Sequence, residues 1–202
     1  MEGQTYGKIK TIDFNDSNFK GFKNQEIIML DSCIIFAYIN LLDSWHDTVN
    51  RLLEDYIINS NTEVALYTTC CAINETVFLI NKKLDKYVHS NEHRYPNLNK
   101  ERLDMLKKSL LFTLRFLIEE DLICIADGDK NSVLNQLKLK ELDPADALHV
   151  SIANRAGINF LTLDNRLKEM IENKYSMNLG NIETIYYTTN KYQVQKNFNF
   201  SK

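Results

Sequence analysis

Short apolar runs alternate along this chain with longer stretches in which apolar residues recur every three or four positions. Glu26-Ile27-Ile28-Met29-Leu30-Asp31 is too short for a helix and suits a strand buried on both faces that closes on an acid. The apolar stretch Ile34 to Leu42 follows. An amphipathic segment then starts at Ser44, with Val49, Leu52, Leu53, Tyr56 and Ile57 at helical spacing. Val64–Thr68 predicts a second strand. Thr69 is placed to cap a helix from Cys70 to about Lys83. Residues 84–96 are polar. A long amphipathic helix is expected from Leu98 to Glu119, burying Leu103, Leu106, Leu110, Leu111, Leu114 and Leu117. Leu122–Ala126 reads as a third strand, followed by a short helix around Ser132–Leu139.

Asp143-Pro144-Ala145-Asp146 is a strong helix start: Asp at the cap, Pro in the first position and an acid in the first turn. Gly157 is a fitting end to that helix. Ile158–Leu163 reads as strand four, again closing on an acid, Asp164. A helix from Arg166 to Lys174 and a strand from Ile182 to Tyr187 complete the pattern. Strands that alternate with helices predict an α/β fold: a three-layer α/β/α domain around a parallel sheet of about five strands. Residues 1–25 read as a weakly ordered polar extension, 26–188 as the domain, about 82–115 as a helical insertion within it, and 189–202 as a polar tail.

In open parallel sheets, ligands bind beyond the carboxyl ends of the strands. Asp31 and Asp164 end predicted strands, and Glu75 lies in the second turn of the helix after the second strand. Asp146 lies in the first turn of a helix that starts at the same edge. Four acids from separate segments are thereby expected to converge. Carboxylates brought together repel unless protons or a cation compensate. Oxygen ligands suit Mg²⁺ or Mn²⁺, and such ions support phosphodiester hydrolysis. Each acid also has a plainer role open to it. Asp31 and Asp164 can cap helices, Asp146 can complement a helix dipole, and Glu75 can be a solvated helical residue.

Composition sharpens this only in part. The 202 residues are 44% hydrophobic and 25% charged, ordinary values for one globular domain. No apolar run approaches the ~20 residues needed to span a bilayer, and Met1–Lys10 has no apolar core, so a cytoplasmic protein without membrane contact is expected. Four cysteines without metal-type spacing read as small buried hydrophobes in a reducing compartment. Net charge is −3, but unevenly spread: 5 Lys/Arg against 11 Asp/Glu in residues 1–81, 9 against 4 in 82–115, and 10 against 12 thereafter. The basic middle segment is a footprint for phosphate or a solvated helix face; Lys82, Lys83, Arg94 and Lys107 are its candidate nucleic-acid contacts. His89 and His93 stand at i, i+4 on a polar stretch. Trp45 and His46 read as helix-start packing, and His149 as a packed helical histidine. Phosphate-cradling glycine motifs and a G-x-S-x-G elbow are absent from the sequence.

Four segments, in order, resemble the PIN-domain nucleases: Ile28-Met-Leu-Asp31-Ser, Ala72-Ile-Asn-Glu75-Thr-Val, Pro144-Ala-Asp146-Ala-Leu-His-Val-Ser-Ile-Ala153, and Phe160-Leu-Thr-Leu-Asp164-Asn-Arg-Leu167. The resemblance runs from about residue 27 to 187. It implies Mg²⁺- or Mn²⁺-dependent cleavage of RNA. Asp31, Asp146 and Asp164 would hold a first ion, and Glu75 would help hold a second or orient the attacking water. Ser32 stands where the family often has Thr, which keeps the hydroxyl. Many small bacterial members look like VapC-type toxins, which an antitoxin inhibits and which often form homodimers. The N-terminal extension, the 82–115 segment and the tail make this chain longer than the usual toxin. An RNA-binding or assembly module with little catalysis is the alternative on the same fold.

Overall fold

The computed structural model describes residues 9–85 and 99–192. One sheet of six parallel strands runs through the domain: β1 (Lys10–Asp13), β2 (Glu26–Leu30), β3 (Val64–Thr68), β4 (Cys124–Ile125), β5 (Asn159–Thr162) and β6 (Thr184–Tyr187). Their order across the sheet is β1-β6-β5-β2-β3-β4. The described helices are α1 (Ser32–Ile39), α2 (His46–Leu53), α3 (Cys70–Phe78), α4 (Lys100–Glu119), α5 (Lys130–Gln136), α6 (Pro144–Ala156) and α7 (Asn165–Met170). Three of them, α2, α3 and α7, run on into wider π turns at Glu54–Ile58, Leu79–Lys83 and Ile171–Tyr175.

Alternation along the central strands builds two cores. Ile28 and Leu30 of β2 point into one, with Ile34, Ile35, Leu52, Ile80, Leu110 and Leu114 from α1, α2, the turn after α3, and α4. Met29 points to the other face, among Val150, Ala153, Phe160, Leu167 and Ile171. The result is a three-layer α/β/α domain. Local chemistry sets the helix starts. Thr69, Asn99, Asp129, Asp143 and Asp164 each accept a backbone N–H of the first turn of the helix they precede. Gly157 closes α6 with φ of 67°, the left-handed geometry expected of it.

The structure differs from expectation at the N-terminus. Instead of a weakly ordered extension, Lys10–Asp13 forms a sixth strand at the edge of the sheet, paired with β6 from Lys10↔Thr184 to Asp13↔Tyr187. Phe14, Phe19 and Phe22 are buried behind it. Phe19 meets Tyr56 edge-on at 4.9 Å, as Phe22 does Tyr186. These aromatics stand singly among polar residues and carry no periodic signal. Gly21 sits between them at φ of 93°, and a Cβ there would lie 2.9 Å from the Tyr56 ring. No described helix is long and apolar enough to cross a membrane.

Candidate active site

Chain order reverses at the centre of the sheet: β2 leads outward to β3 and β4, and β5 then returns on its other side. The crevice beyond the carboxyl ends of β2 and β5 is therefore the topological switch point, where open α/β sheets bind ligands. Asp31 follows β2, and its N–H donates to Leu161 O of β5 at 3.0 Å. Although Asp31 precedes α1, its carboxylate makes no cap bond to that helix. It is buried and turns instead to Thr162 Oγ1, which donates to Asp31 Oδ2 at 2.5 Å. Cys33 Sγ donates to the same oxygen at 3.2 Å.

Glu75 reaches the crevice from α3, and Ser32 Oγ donates to its Oε2 at 2.8 Å. Asp146 comes from the first turn of α6. One carboxylate oxygen each from Asp31, Glu75 and Asp146 lie within 4.8 Å of one another. Three of the four expected acids are thus brought together. Asp164 stands at the rim. It lines a cleft of about 250 Å³ with Asp146 and Arg166, but its Oδ1 accepts Leu167 N at 3.0 Å and caps α7. Asp143 likewise caps α6, accepting Ala145 N at 2.9 Å.

The electrostatics of this cluster are unresolved by the protein itself. Among the described residues, the ion pairs within 4.0 Å leave out Asp31, Glu75, Asp146 and Asp164. Burial pushes the Asp31 carboxyl above its ordinary value; hydrogen bonds from Thr162, Cys33 and the Ser32 backbone oppose the rise, and the charge of Asp164 adds to it. Asp146 is pushed up to about 7, by burial first and then by Asp31, Glu75, Asp143 and Asp164. Three carboxylates from separate elements, one of them buried and none paired with a cationic side chain, fit a hard divalent ion.

Other candidates fall outside the cluster. Lys107 is internal: its Nζ donates to Asp85 Oδ1 at 2.7 Å, and its side chain is only 17% exposed. That removes it as a free phosphate contact. Lys82 and Lys83 are exposed at the end of the turn after α3, and Lys83 lines a groove that also contains Asp164 and Arg166. Arg94, His89 and His93 lie outside the described residues. His149 is packed, as expected: Nδ1 bonds Thr69 Oγ1 at 2.7 Å, the ring meets Phe160 edge-on, and burial lowers its pKa to about 4. His46 Nδ1 bonds Ala37 O at 2.9 Å and fastens the start of α2 to α1.

Three residues of the site are not marked as such by the sequence. Thr162, inside a fully buried strand, lies within the fourth segment of the family resemblance, but nothing in the sequence marks its hydroxyl as a partner of Asp31. Arg166 opens a predicted helix within that same segment, with no sign in the sequence that it lines the acid cleft. Cys33, by its apolar setting a small buried hydrophobe, donates to Asp31 and accepts Leu163 N at 3.2 Å. All four cysteines are free, and Cys70 is exposed.

The chain matches the PIN domain family over residues 28–173. Among curated proteins no match is found. Three solved structures are similar in outline. "FitAB bound to IR36 DNA fragment" is 14% identical, with 79% of this chain and 94% of that chain covered and a TM-score of 0.49. VapBC2 from Rickettsia felis, bound to a DNA fragment from its promoter, is 15% identical, with 79% and 98% covered and a TM-score of 0.46. FitAcB from Neisseria gonorrhoeae is 14% identical, with 78% and 96% covered and a TM-score of 0.48. The family match spans more than half of the chain and includes Asp31, Glu75, Asp146 and Asp164; this protein belongs to the PIN domain family.

Proposed function

We propose that the chain is a divalent-metal-dependent endoribonuclease. The observation that carries this reading is the convergence of Asp31, Glu75 and Asp146 at the switch point without a cationic partner. Asp31, Glu75 and Asp146 would hold Mg²⁺ or Mn²⁺, with Asp164 at the rim contributing charge. When bound, the ion supplies Lewis-acid stabilisation of a phosphoryl oxygen and a water of lowered pKa.

The chain's own groups prepare that site. Thr162 and Cys33 both donate to Asp31 Oδ2 and hold the carboxylate in one orientation. Ser32 does the same for Glu75. Helices α1, α3 and α6 begin beside the cluster, and their N-terminal dipoles favour negative charge there. Arg166, at the rim beside Asp164, is placed to meet a phosphate.

Manganese titration followed by calorimetry, paired with cleavage of a labelled RNA, tests the reading. Mn²⁺ or Mg²⁺ should be required for cleavage. Asp146→Asn should weaken metal binding and abolish cleavage while remaining folded. Cleavage unaffected by Asp146→Asn would overturn the site. The sequence resemblance to VapC-type toxins extends the proposal to a toxin restrained by an antitoxin. Expression of the wild-type chain should then arrest growth, and Asp146→Asn should relieve the arrest.

A further inference from the structure

The acid cleft does not end at Asp164. That residue and Arg166 also line a second, larger groove of about 490 Å³ between the start of α2 and the start of α7. Its lining includes Cys33, Phe36, Lys83 and Trp45. The volume falls within the range of about 300–1,000 Å³ typical of small-ligand sites. The groove combines what a nucleotide requires: two cations, Lys83 and Arg166, and an aromatic side chain, Trp45, in one lining with Asp164. Asp43 also lines it, but its Oδ1 is engaged by Trp45 N at 2.8 Å.

Trp45 is more than helix-start packing. Its ring is half-buried and lines the groove. Lys191 Nζ lies 4.9 Å from the ring centroid and donates to Ser44 Oγ at 2.7 Å. Lys191 therefore covers one face of the indole; the side chain otherwise packs against the core and lines the groove, where a ring can stack against it. Resting on the nuclease reading above, we propose that Trp45 is a base-stacking platform. A nucleobase of single-stranded RNA flanking the scissile phosphate stacks on it while Lys83 and Arg166 bind the intervening backbone. A duplex keeps its bases stacked on each other and offers none to the indole. The groove therefore selects unpaired RNA and sets the cleavage position relative to the stacked base.

Trp45 is the single tryptophan of the chain, so it reports on itself. The full-length Asp146→Asn protein is titrated with a short single-stranded oligouridylate, following indole fluorescence and, in parallel, the anisotropy of a labelled copy. Saturable quenching that matches the anisotropy curve is expected. Trp45→Leu should weaken binding about 5- to 100-fold, the usual cost of losing one stacked base, and Trp45→Phe should recover most of it. A series of oligonucleotides with one abasic position should show one site where base removal weakens the parent protein but not Trp45→Leu. Anisotropy binding without any indole quenching overturns the proposal, as does equal quenching by duplex RNA. Quenching and binding without metal-dependent cleavage by the wild-type chain would leave this platform standing and overturn the nuclease reading instead. Absence of RNA binding by either measure overturns both.

Discussion

Thr162 Oγ1 stands between two acids of the site: it donates to Asp31 Oδ2 at 2.5 Å and accepts the backbone N–H of Asp164 at 2.9 Å. One buried hydroxyl thereby joins the ends of β2 and β5 and sets the direction of Asp31. Thr162→Val keeps the shape and removes both bonds. It should lower Mn²⁺ affinity about 10- to 100-fold by calorimetry, the usual effect of removing a group that orients a ligand. Thr162→Ser should retain most of the affinity. Unchanged affinity in the valine variant would show that Asp31 is oriented without Thr162, by Cys33 and Ser32.

Asp146 gives the metal-free protein a pH dependence of definite sign. Its folded pKa of about 7 lies above the ordinary value of 3.8, so the folded state holds this proton more tightly than the unfolded chain does. The associated stability is complete below about pH 4, declines as pH rises between the two values, and is gone above about pH 7. Asp31 shifts in the same direction, chiefly through burial. The melting temperature of the metal-free protein should therefore fall between pH 5 and pH 8. Asp146→Asn should reduce that fall and raise the pH 8 melting temperature by a few degrees, each ~1 kcal/mol corresponding to about 2–4 °C at this size. Saturating Mn²⁺ should oppose the fall, because binding requires the deprotonated carboxylates. A metal-free melting temperature that rises over this interval would contradict the arrangement.

Lys83 and Lys107 should behave as opposites despite their common charge. Lys83 lines the groove beside Asp164. Lys83→Ala should weaken RNA binding and reduce the slope of log affinity against log salt by about one. Lys107 is committed to Asp85 and lies largely out of solvent. Lys107→Ala should lower thermal stability and leave the salt slope unchanged. A reversed pattern would place the phosphate path along α4.

Gly21→Ala tests whether the N-terminal segment belongs to the domain. A side chain there must adopt a left-handed backbone and approach the Tyr56 ring. Destabilisation of about 1–2 kcal/mol is expected from the backbone alone, visible as a lower melting temperature with Mn²⁺ affinity unchanged. A neutral effect would mean that this segment contributes little to the fold.

Much of the sheet and its helices was legible in the sequence because their signals are local. Periodicity marked β2, β3, β5 and α4. The cap chemistry of Thr69 and Asp143 and the closing glycine at 157 marked the ends of α3 and α6. The same locality pointed Asp31, Glu75, Asp146 and Asp164 to one edge, since Asp31 and Asp164 follow strands, Asp146 lies in the first turn of a helix and Glu75 in the second turn of another. Local signals could not say which way a side chain turns. Asp31 and Asp164 occupy equivalent cap positions, yet Asp164 caps its helix and Asp31 does not. That choice depends on Thr162 and Cys33, residues 131 and 2 positions from Asp31.

By itself, then, the sequence determined the order of elements, the parallel α/β class and the edge on which the acids gather, because backbone propensity and burial pattern are written in adjacent residues. Tertiary structure decided the rest. It added β1 to the sheet through contacts between residues 10–13 and 184–187, and it withdrew Lys107 into an ion pair with Asp85. It also set Arg166, Lys83 and Trp45 along one groove. These relationships join residues far apart in the chain, and only the packed fold brings their side chains within reach of one another.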